Sequence, residues 1–116
     1  MKRILLCLIC IFSLLGSKAQ SYNELVEKAM DYTFKDSLQQ AEELFREALR
    51  LDPYNARNAL LFSNLGTVLK RQGKIDEAID SYTMALNITP YATAILLNRA
   101  TLYMEKNLTE KAYLDY

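Results

Sequence analysis

The side chains whose types and spacing could support chemistry are few in this 116-residue sequence. Cys7 and Cys10 have the C-x-x-C spacing that redox and zinc sites use. Both lie in an apolar stretch near the N-terminus, however, and the chain has no histidine to serve as a general base or a neutral metal ligand. Adjacent carboxylates such as Glu42 and Glu43 fall on the solvated side of a helical pattern. The sequence therefore predicts a protein that is not an enzyme and has neither a metal site nor a cofactor.

The N-terminal segment has the three-part organisation of a secretory signal peptide. Lys2 and Arg3 precede an apolar run over residues 4–15, which is followed by small residues and a cleavage point after Ala19. As a helix, the apolar run would be roughly 18 Å long, short of the ~30 Å hydrocarbon layer that a transmembrane anchor must cross. We therefore expect residues 1–19 to be removed with both cysteines, and the protein to be periplasmic or secreted.

Removal of this segment changes the net charge of the chain. Three basic residues leave with it, so that 11 basic residues remain against 14 acidic ones, a net charge of −3. A mildly acidic domain does not favour contact with a phosphate backbone or with anionic lipid headgroups. We expect no nucleic-acid partner and no membrane contact after cleavage, which leaves protein and peptide partners open.

A repeated pattern runs through the rest of the chain. Three alanines are each followed four residues later by an aromatic residue, in the pairs Ala41–Phe45, Ala78–Tyr82 and Ala112–Tyr116. A small residue stands twelve positions before each alanine, at Ala29, Gly66 and Ala100. Spacings of three and four place side chains on one face of a helix, and small residues let a second helix approach closely. The pattern therefore predicts helical hairpins in which small residues pack against large ones.

This pattern resembles the tetratricopeptide repeat, W-x2-L-G-x2-Y…A-x3-F…P, and residues 59–92 match it most fully. The resemblance implies an all-α fold, an α-solenoid of antiparallel helix hairpins with about two and a half repeats. We place the signal peptide at 1–19 and the helical repeat domain at 20–116, with repeats at about 22–55, 59–92 and a truncated 93–116. Three extra residues near positions 54–58 separate the first two repeats, and they either lengthen the next helix or loosen the junction.

The helix boundaries follow from the same pattern and from capping residues. The expected helices span residues 22–34, 38–50, 56–72, 75–87, 91–105 and 109–116. Ser21 and Ser37 begin capping-box patterns at two helix starts. Gly73 and Asn107 are placed to adopt the left-handed conformation that ends a helix.

The resemblance also implies where a partner would bind. The first helix of each hairpin would line a concave surface of the kind that holds peptides or partner helices. The candidate groove residues on these helices are Ser63, Asn64, Thr67, Lys70, Arg71, Leu97, Asn98 and Thr101. Asn64 and Asn98 occupy equivalent positions, where an amide could clamp a peptide backbone, although asparagine is also frequent there across the family.

The groove residues bear on two kinds of ligand specificity. The carboxylate clamp that some family members use for chaperone tails needs basic residues where this chain has Val26, Met30 and Ala94, so that specificity is not carried over. Lys70, Arg71 and Lys74 form a small basic cluster that could receive an acidic ligand, but basic residues near a helix C-terminus are expected there because they favour the helix dipole. The expected function is that of an exported interaction module, a scaffold or adaptor for a peptide or helix.

The third repeat stops at Tyr116, halfway along its second helix. Eight residues of helix are marginal alone, because helix nucleation is costly. We therefore hold two alternatives open. Either the chain is the leading fragment of a longer array, or the open end of the third repeat is covered by a second copy in a homodimer.

Overall fold

The computed structural model describes the backbone of residues 2–116 and the side chains of residues 18–108 and 110–116. Over these residues the chain forms six α-helices and no strand: α1 (Lys2–Phe34), α2 (Leu38–Leu51), α3 (Asn58–Arg71), α4 (Ile75–Ile88), α5 (Thr93–Glu105) and α6 (Thr109–Asp115). Most of the predicted signal peptide, including both cysteines, falls outside the described side chains. Among the described residues, none of the helices is long and apolar enough to cross a membrane.

The helices pair in chain order. α1 packs against α2, α3 against α4 and α5 against α6, and consecutive hairpins meet through α2 with α3 and through α4 with α5. Short turns join the helices of each pair, so their axes run in opposite directions. The predicted fold class, an all-α solenoid of antiparallel hairpins, is confirmed. We call the contact between the first and second hairpins the first junction, and that between the second and third hairpins the second junction.

The core follows the predicted contacts between small and large residues. Ala29, Ala41 and Phe45 are fully buried in the first hairpin. In the second hairpin the ring of Tyr82 lies directly against Gly66, and a Cβ atom added at Gly66 would stand 2.7 Å from Tyr82 Cε1. Only glycine fits at this approach, because no side-chain carbon tolerates so short a contact.

The turn inside each hairpin contains one residue in the left-handed conformation. These residues are Asp36, Gly73 and Asn107, with φ angles of 62°, 79° and 60°. The roles predicted for Gly73 and Asn107 are confirmed. Asp36 fills the same position in the first hairpin and was not predicted, although aspartate tolerates this region better than most residues.

The capping predictions at the two serines are wrong. Ser21 lies inside α1, because the residues just before it, Lys18, Ala19 and Gln20, are good helix formers that let the helix continue. Ser37 precedes α2, but its side chain makes no capping hydrogen bond and its ψ of 71° is not that of a typical N-cap.

The extra residues at the first junction form a compact turn and do not lengthen α3, which begins at Asn58 and not at residue 56. The side chain of Asn55 holds this turn. Its amide donates to Asp52 Oδ2 over 3.1 Å, and its carbonyl accepts from the Arg57 backbone N–H over 2.9 Å. α5 likewise begins at Thr93 and not at residue 91.

Candidate functional site

The candidate site lies on one side of the first helices of the hairpins, α1, α3 and α5. The other side of α3 is buried in the core through Leu61, Leu65, Val68 and Leu69. Residues three and four apart share a helix face, so the polar positions between these apolar ones face away from the core. We call the surface formed by this side of α1, α3 and α5 the concave face.

All eight predicted groove residues lie on the concave face, and none of them is buried. The five half-buried residues are Ser63, Asn64, Thr67, Lys70 and Asn98. The three exposed residues are Arg71, Leu97 and Thr101. Their spacing on α3 and α5 places them in two parallel rows.

Side chains of α1 and α3 converge on this face. The amide of Asn64 donates to Met30 Sδ over 3.3 Å, and Arg57 Nη1 donates to Asn23 Oδ1 over 3.0 Å. Both contacts bridge neighbouring hairpins from the side away from the second helices α2 and α4. These contacts tie the first and second hairpins together on the concave face.

Two of the eight residues are engaged within the protein. Thr67 Oγ1 lies 2.8 Å from the hydroxyl of Tyr82, so it supports the core of the second hairpin. Burial raises the pKa of Tyr82, and the hydrogen bond with Thr67 offsets this only in part. Arg71 pairs with Asp36 and also donates to the Thr33 carbonyl over 3.4 Å. Both residues therefore stabilise the face as well as line it.

The predicted basic cluster at the end of α3 is divided by the structure. Lys74 points to the first junction, where its Nζ lies 2.8 Å from Glu42 Oε1, and Arg46 Nε binds the other oxygen of that carboxylate over 3.0 Å. Burial opposes ionisation of Glu42, but hydrogen bonds from Lys74, Arg46 and Gln72 outweigh it and lower its pKa. In the described part of the chain, no carboxylate lies within ion-pair distance of Lys70. Lys70 is thus the cation of the cluster that remains for a ligand.

The first junction is filled by a buried polar bridge that sequence analysis missed. The Tyr22 hydroxyl donates to Asn58 Oδ1 over 2.8 Å, and the Asn58 amide donates to the Asp52 carbonyl over 2.8 Å. Tyr22 and Asn58 are each 1% exposed. Burial is the main cause of the raised pKa of Tyr22. The bridge ties α1 to the turn before α3.

The second junction has a cavity at the corresponding place. Counted back from the repeat alanines, Ala59 and Ala92 hold the register positions of Tyr22 and Asn58. Both alanines line an open cavity of about 470 Å³ on the concave face, together with Ala56, Arg57, Leu60, Ser63, Thr89, Ala94 and Ile95. Two small residues at these positions are the signal by which the second-junction cavity could have been found in the sequence.

The last hairpin is held by an ion pair that sequence analysis also missed. Arg99 Nε and Nη2 bind the two oxygens of Asp115 over 2.7 Å each, and Arg99 Nη1 donates to Thr83 on α4 over 3.0 Å. The Asp115 side chain is 6% exposed. The hydrogen bond to Asp115 is the largest cause of the raised pKa of Arg99. The pair joins α6 to α5 and, through Thr83, to the second hairpin.

The outer side of the last hairpin is apolar and open. Tyr116 was expected to pack like Phe45 and Tyr82, but it is 69% exposed while they are fully buried. α6 ends at Asp115, so no further turn of helix holds the Tyr116 ring against Ala100. Tyr113 and Leu114 are 80% and 84% exposed.

The described residues hold no group of three or more metal-ligating side chains. The concave face carries amides and hydroxyls that can donate and accept hydrogen bonds, exposed apolar side chains, and a cation at each end of α3.

Comparison with known proteins places this arrangement among repeat proteins. A family model described as Tetratricopeptide repeat matches residues 18–90. DnaJ homolog subfamily C member 7 of Homo sapiens is 40% identical over 77 residues, which are 66% of this chain and 16% of that protein. The chain therefore spans about a sixth of the length of this relative.

Solved structures share the fold. The crystal structure of a tetratricopeptide repeat protein from Parabacteroides merdae is 49% identical, with a TM-score of 0.82 over 84% of this chain and 38% of that one. The first TPR of Spaghetti (RPAP3), bound to the HSP90 peptide SRMEEVD, has a TM-score of 0.75 at 23% identity, over 84% of this chain and 75% of that one.

Proposed function

The chain belongs to the tetratricopeptide repeat family, and on that premise we propose that it is an adaptor whose concave face binds a segment of a partner protein. The observation that carries the proposal is the position of the eight groove residues. All of them are accessible on one side of α3 and α5, although the opposite side of α3 is buried. A surface of this composition suits the recognition of a peptide better than catalysis, because it holds amides and hydroxyls but no nucleophile paired with a base.

Asn64 and Asn98 are the proposed backbone clamps. Each lies at the equivalent position of its helix and is half-buried, so it can meet a peptide without first leaving the core. An amide side chain both donates and accepts, which matches the alternating N–H and C=O groups of an extended peptide. The contact of Asn64 with Met30 involves a thioether, a weak acceptor that a peptide carbonyl would readily replace.

The proposed partner differs from the HSP90 peptide held by the Spaghetti domain. A carboxylate clamp needs cations where this chain has Val26, Met30 and Ala94, and Val26 is moreover 5% exposed. We therefore propose that the specificity lies elsewhere on the concave face.

A selection from displayed random dodecapeptides tests the proposal. The full chain is the bait. Binding of the selected peptides is then compared between the wild-type chain and the Asn64→Ala/Asn98→Ala double variant. Asn87→Ala on α4 is the matched control. We expect peptides that bind the wild-type chain and the control but bind the double variant at least tenfold more weakly, with thermal stability unchanged. Peptides that bind all three proteins equally would place binding outside the concave face.

Self-association is a second candidate, favoured by the exposed Tyr113 and Leu114. A second copy seated on the last hairpin would bury both side chains. Light scattering after size-exclusion chromatography at two concentrations tests this candidate. A dimer whose population rises with concentration, and which Tyr113→Ser/Leu114→Ser abolishes, is the expected result. A monomer at both concentrations would exclude it.

Export is proposed from the sequence pattern of residues 1–19 alone. Mass spectrometry of the protein recovered from the envelope or medium of an expressing bacterium tests it. The expected N-terminal residue is Gln20, and an intact Met1 on a protein retained inside the cell would contradict it.

A further inference from the structure

The second-junction cavity is a feature of the concave face that the general proposal does not use. At the first junction, the side chains of Tyr22 and Asn58 fill the space between hairpins and are each 1% exposed. At the second junction Ala59 and Ala92 hold those two positions and leave the space open. The fold itself tolerates a large side chain at this place, as the first junction demonstrates.

The walls of the cavity define what can enter it. Leu60, 55% exposed, and the half-buried Ile95 form apolar sides, and Ala94 lies exposed at the rim. Burial of an apolar side chain in such a site is favourable in proportion to the area removed from water. A leucine, isoleucine, methionine or phenylalanine side chain therefore suits the cavity.

The charges around the cavity indicate which residues should flank that apolar side chain in the bound segment. α3 contains no acidic residue, although residues 20–116 carry a net charge of −3. Arg57 lines the cavity at one end of α3 and Lys70 lies near the other end. Within the described residues, neither cation has a carboxylate at ion-pair distance. The positive strip along α3 is thus complementary to an acidic segment.

The length of α3 sets the distance between the apolar residue of the segment and its second acidic group. Leu60 and Lys70 are ten residues apart, which corresponds to roughly 15 Å along a helix. An extended peptide advances about 3.3 Å per residue and covers that distance in four to five residues.

We propose that the second-junction cavity is a subsite for one large apolar side chain of an acidic partner segment. One carboxylate beside the apolar residue meets Arg57. A second carboxylate, four or five residues from the apolar residue, meets Lys70. This inference rests on the proposed function of the concave face and adds the chemistry of the partner to it.

The displayed dodecapeptides provide the test, followed by fluorescence anisotropy of the best-binding labelled peptide with the full chain. The selected sequences should contain a large apolar residue next to Asp or Glu and a second acidic residue four or five positions away. Ala94→Phe, which closes the cavity from its exposed rim, should weaken binding at least tenfold, because one apolar side chain loses its site. Gln39→Phe, which adds the same ring at an exposed position of α2, should leave binding unchanged.

The charge component is tested separately. Arg57→Gln and Lys70→Gln should each weaken binding about two- to fivefold at low salt, as expected for exposed ion pairs. Arg50→Gln on α2 is the matched control.

The apolar subsite has a further test in the peptide itself. Replacing the apolar residue of the peptide by alanine should reproduce the loss of affinity caused by Ala94→Phe. The two changes together should weaken binding little more than either change alone. Circular dichroism verifies that each variant is folded, and Leu60→Ala serves as a second cavity variant.

The outcomes separate the two proposals. Peptides that depend on Asn64 and Asn98 but lack the apolar and acidic pattern, or ignore Ala94→Phe and Leu60→Ala, would overturn the subsite and leave the proposed function standing. Absence of any selected peptide would overturn both. If the chain forms a dimer that Ala94→Phe dissociates, the occupant of the cavity is a second copy of this chain, and the proposal of an acidic segment from another protein is overturned.

Discussion

The two junctions between hairpins have different residues at the same two register positions, and this difference closes one junction and leaves the other open. At the first junction Tyr22 and Asn58 form a buried bridge that closes the structure. At the second, Ala59 and Ala92 leave a cavity that opens on the concave face. The same two register positions therefore close the first junction and leave open the second, where we propose that a partner segment binds. Both junctions join a second helix to the following first helix. The difference lies in the volume and polarity of these side chains and in the turn of extra residues before α3, which supplies the Asp52 carbonyl to Asn58.

Loss of the bridge at the first junction should have the largest effect. Asn58→Ala leaves the buried Tyr22 hydroxyl without its partner, which costs about 1–3 kcal/mol. It also removes one of two hydrogen bonds to the Asp52 carbonyl, which keeps the bond from the Asn55 backbone N–H over 3.2 Å. We expect the free energy of unfolding, measured by urea denaturation, to fall by about 2–3 kcal/mol. Tyr22→Phe removes only the hydroxyl and should cost about 1 kcal/mol. A loss smaller than about 1 kcal/mol for Asn58→Ala would show that the bridge does not hold the first junction.

A substitution inside the second hairpin separates the effect of a hairpin from that of a junction. Gly66→Ala places a methyl group against the buried Tyr82 ring, and overpacking costs about 1–3 kcal/mol. The better helix propensity of alanine returns about 0.5–1 kcal/mol, so we expect a net loss of about 1–2 kcal/mol. Ala100→Gly at the equivalent position of the last hairpin should lose about 1 kcal/mol from propensity and about 0.8 kcal/mol from the buried methyl group, because Ala100 is fully buried. A stabilised Gly66→Ala would contradict the close approach of α3 and α4.

Acid should weaken the first junction before the second. The pKa of Glu42 is lowered from its ordinary value of 4.5, so its stabilisation is complete above pH 4.5 and is lost as the pH falls through the lower folded value. Ile79 holds the equivalent position at the second junction and does not titrate. Glu42→Gln should cost about 1 kcal/mol at pH 7 and flatten the decline of the melting temperature below pH 4.5. Parallel acid profiles for variant and wild type would exclude this role of Glu42.

The smallest effect is expected from filling the second-junction cavity. Ala92→Leu adds an apolar side chain to open space, and substitutions away from tight packing usually change stability by no more than about 0.5 kcal/mol. The free energy of unfolding of Ala92→Leu should therefore match that of the wild type within this margin. A loss comparable to that of Asn58→Ala would mean that the two junctions are equally closed, and the contrast between them would fail.

The sequence predicted the hairpin order, the packing of small against large side chains inside each hairpin, and the left-handed turns at Gly73 and Asn107, because each follows from local spacing. It did not predict the bridge between Tyr22 and Asn58 or the ion pair between Arg99 and Asp115. These pairs join residues 36 and 16 positions apart, and no periodic pattern marks which distant polar groups meet.

The accessibility of the eight candidate groove residues could be predicted for a similar reason. Helical periodicity decides which side of α3 and α5 enters the core, so the opposite side follows directly. Periodicity does not say which of those residues is engaged internally. Thr67 binds the Tyr82 hydroxyl inside the second hairpin, and Arg71 pairs with Asp36 of the neighbouring hairpin. Both contacts depend on how the helices and turns pack in three dimensions.

Hydrogen–deuterium exchange of the full chain with its best selected peptide tests the central claim most directly. Binding on the concave face should slow exchange in the first helices, across residues 57–71 and 93–101, and leave the exposed side of α2 and α4 unchanged. Protection confined to α2 and α4, or to α6 alone, would contradict the claim that the concave face is the recognition surface.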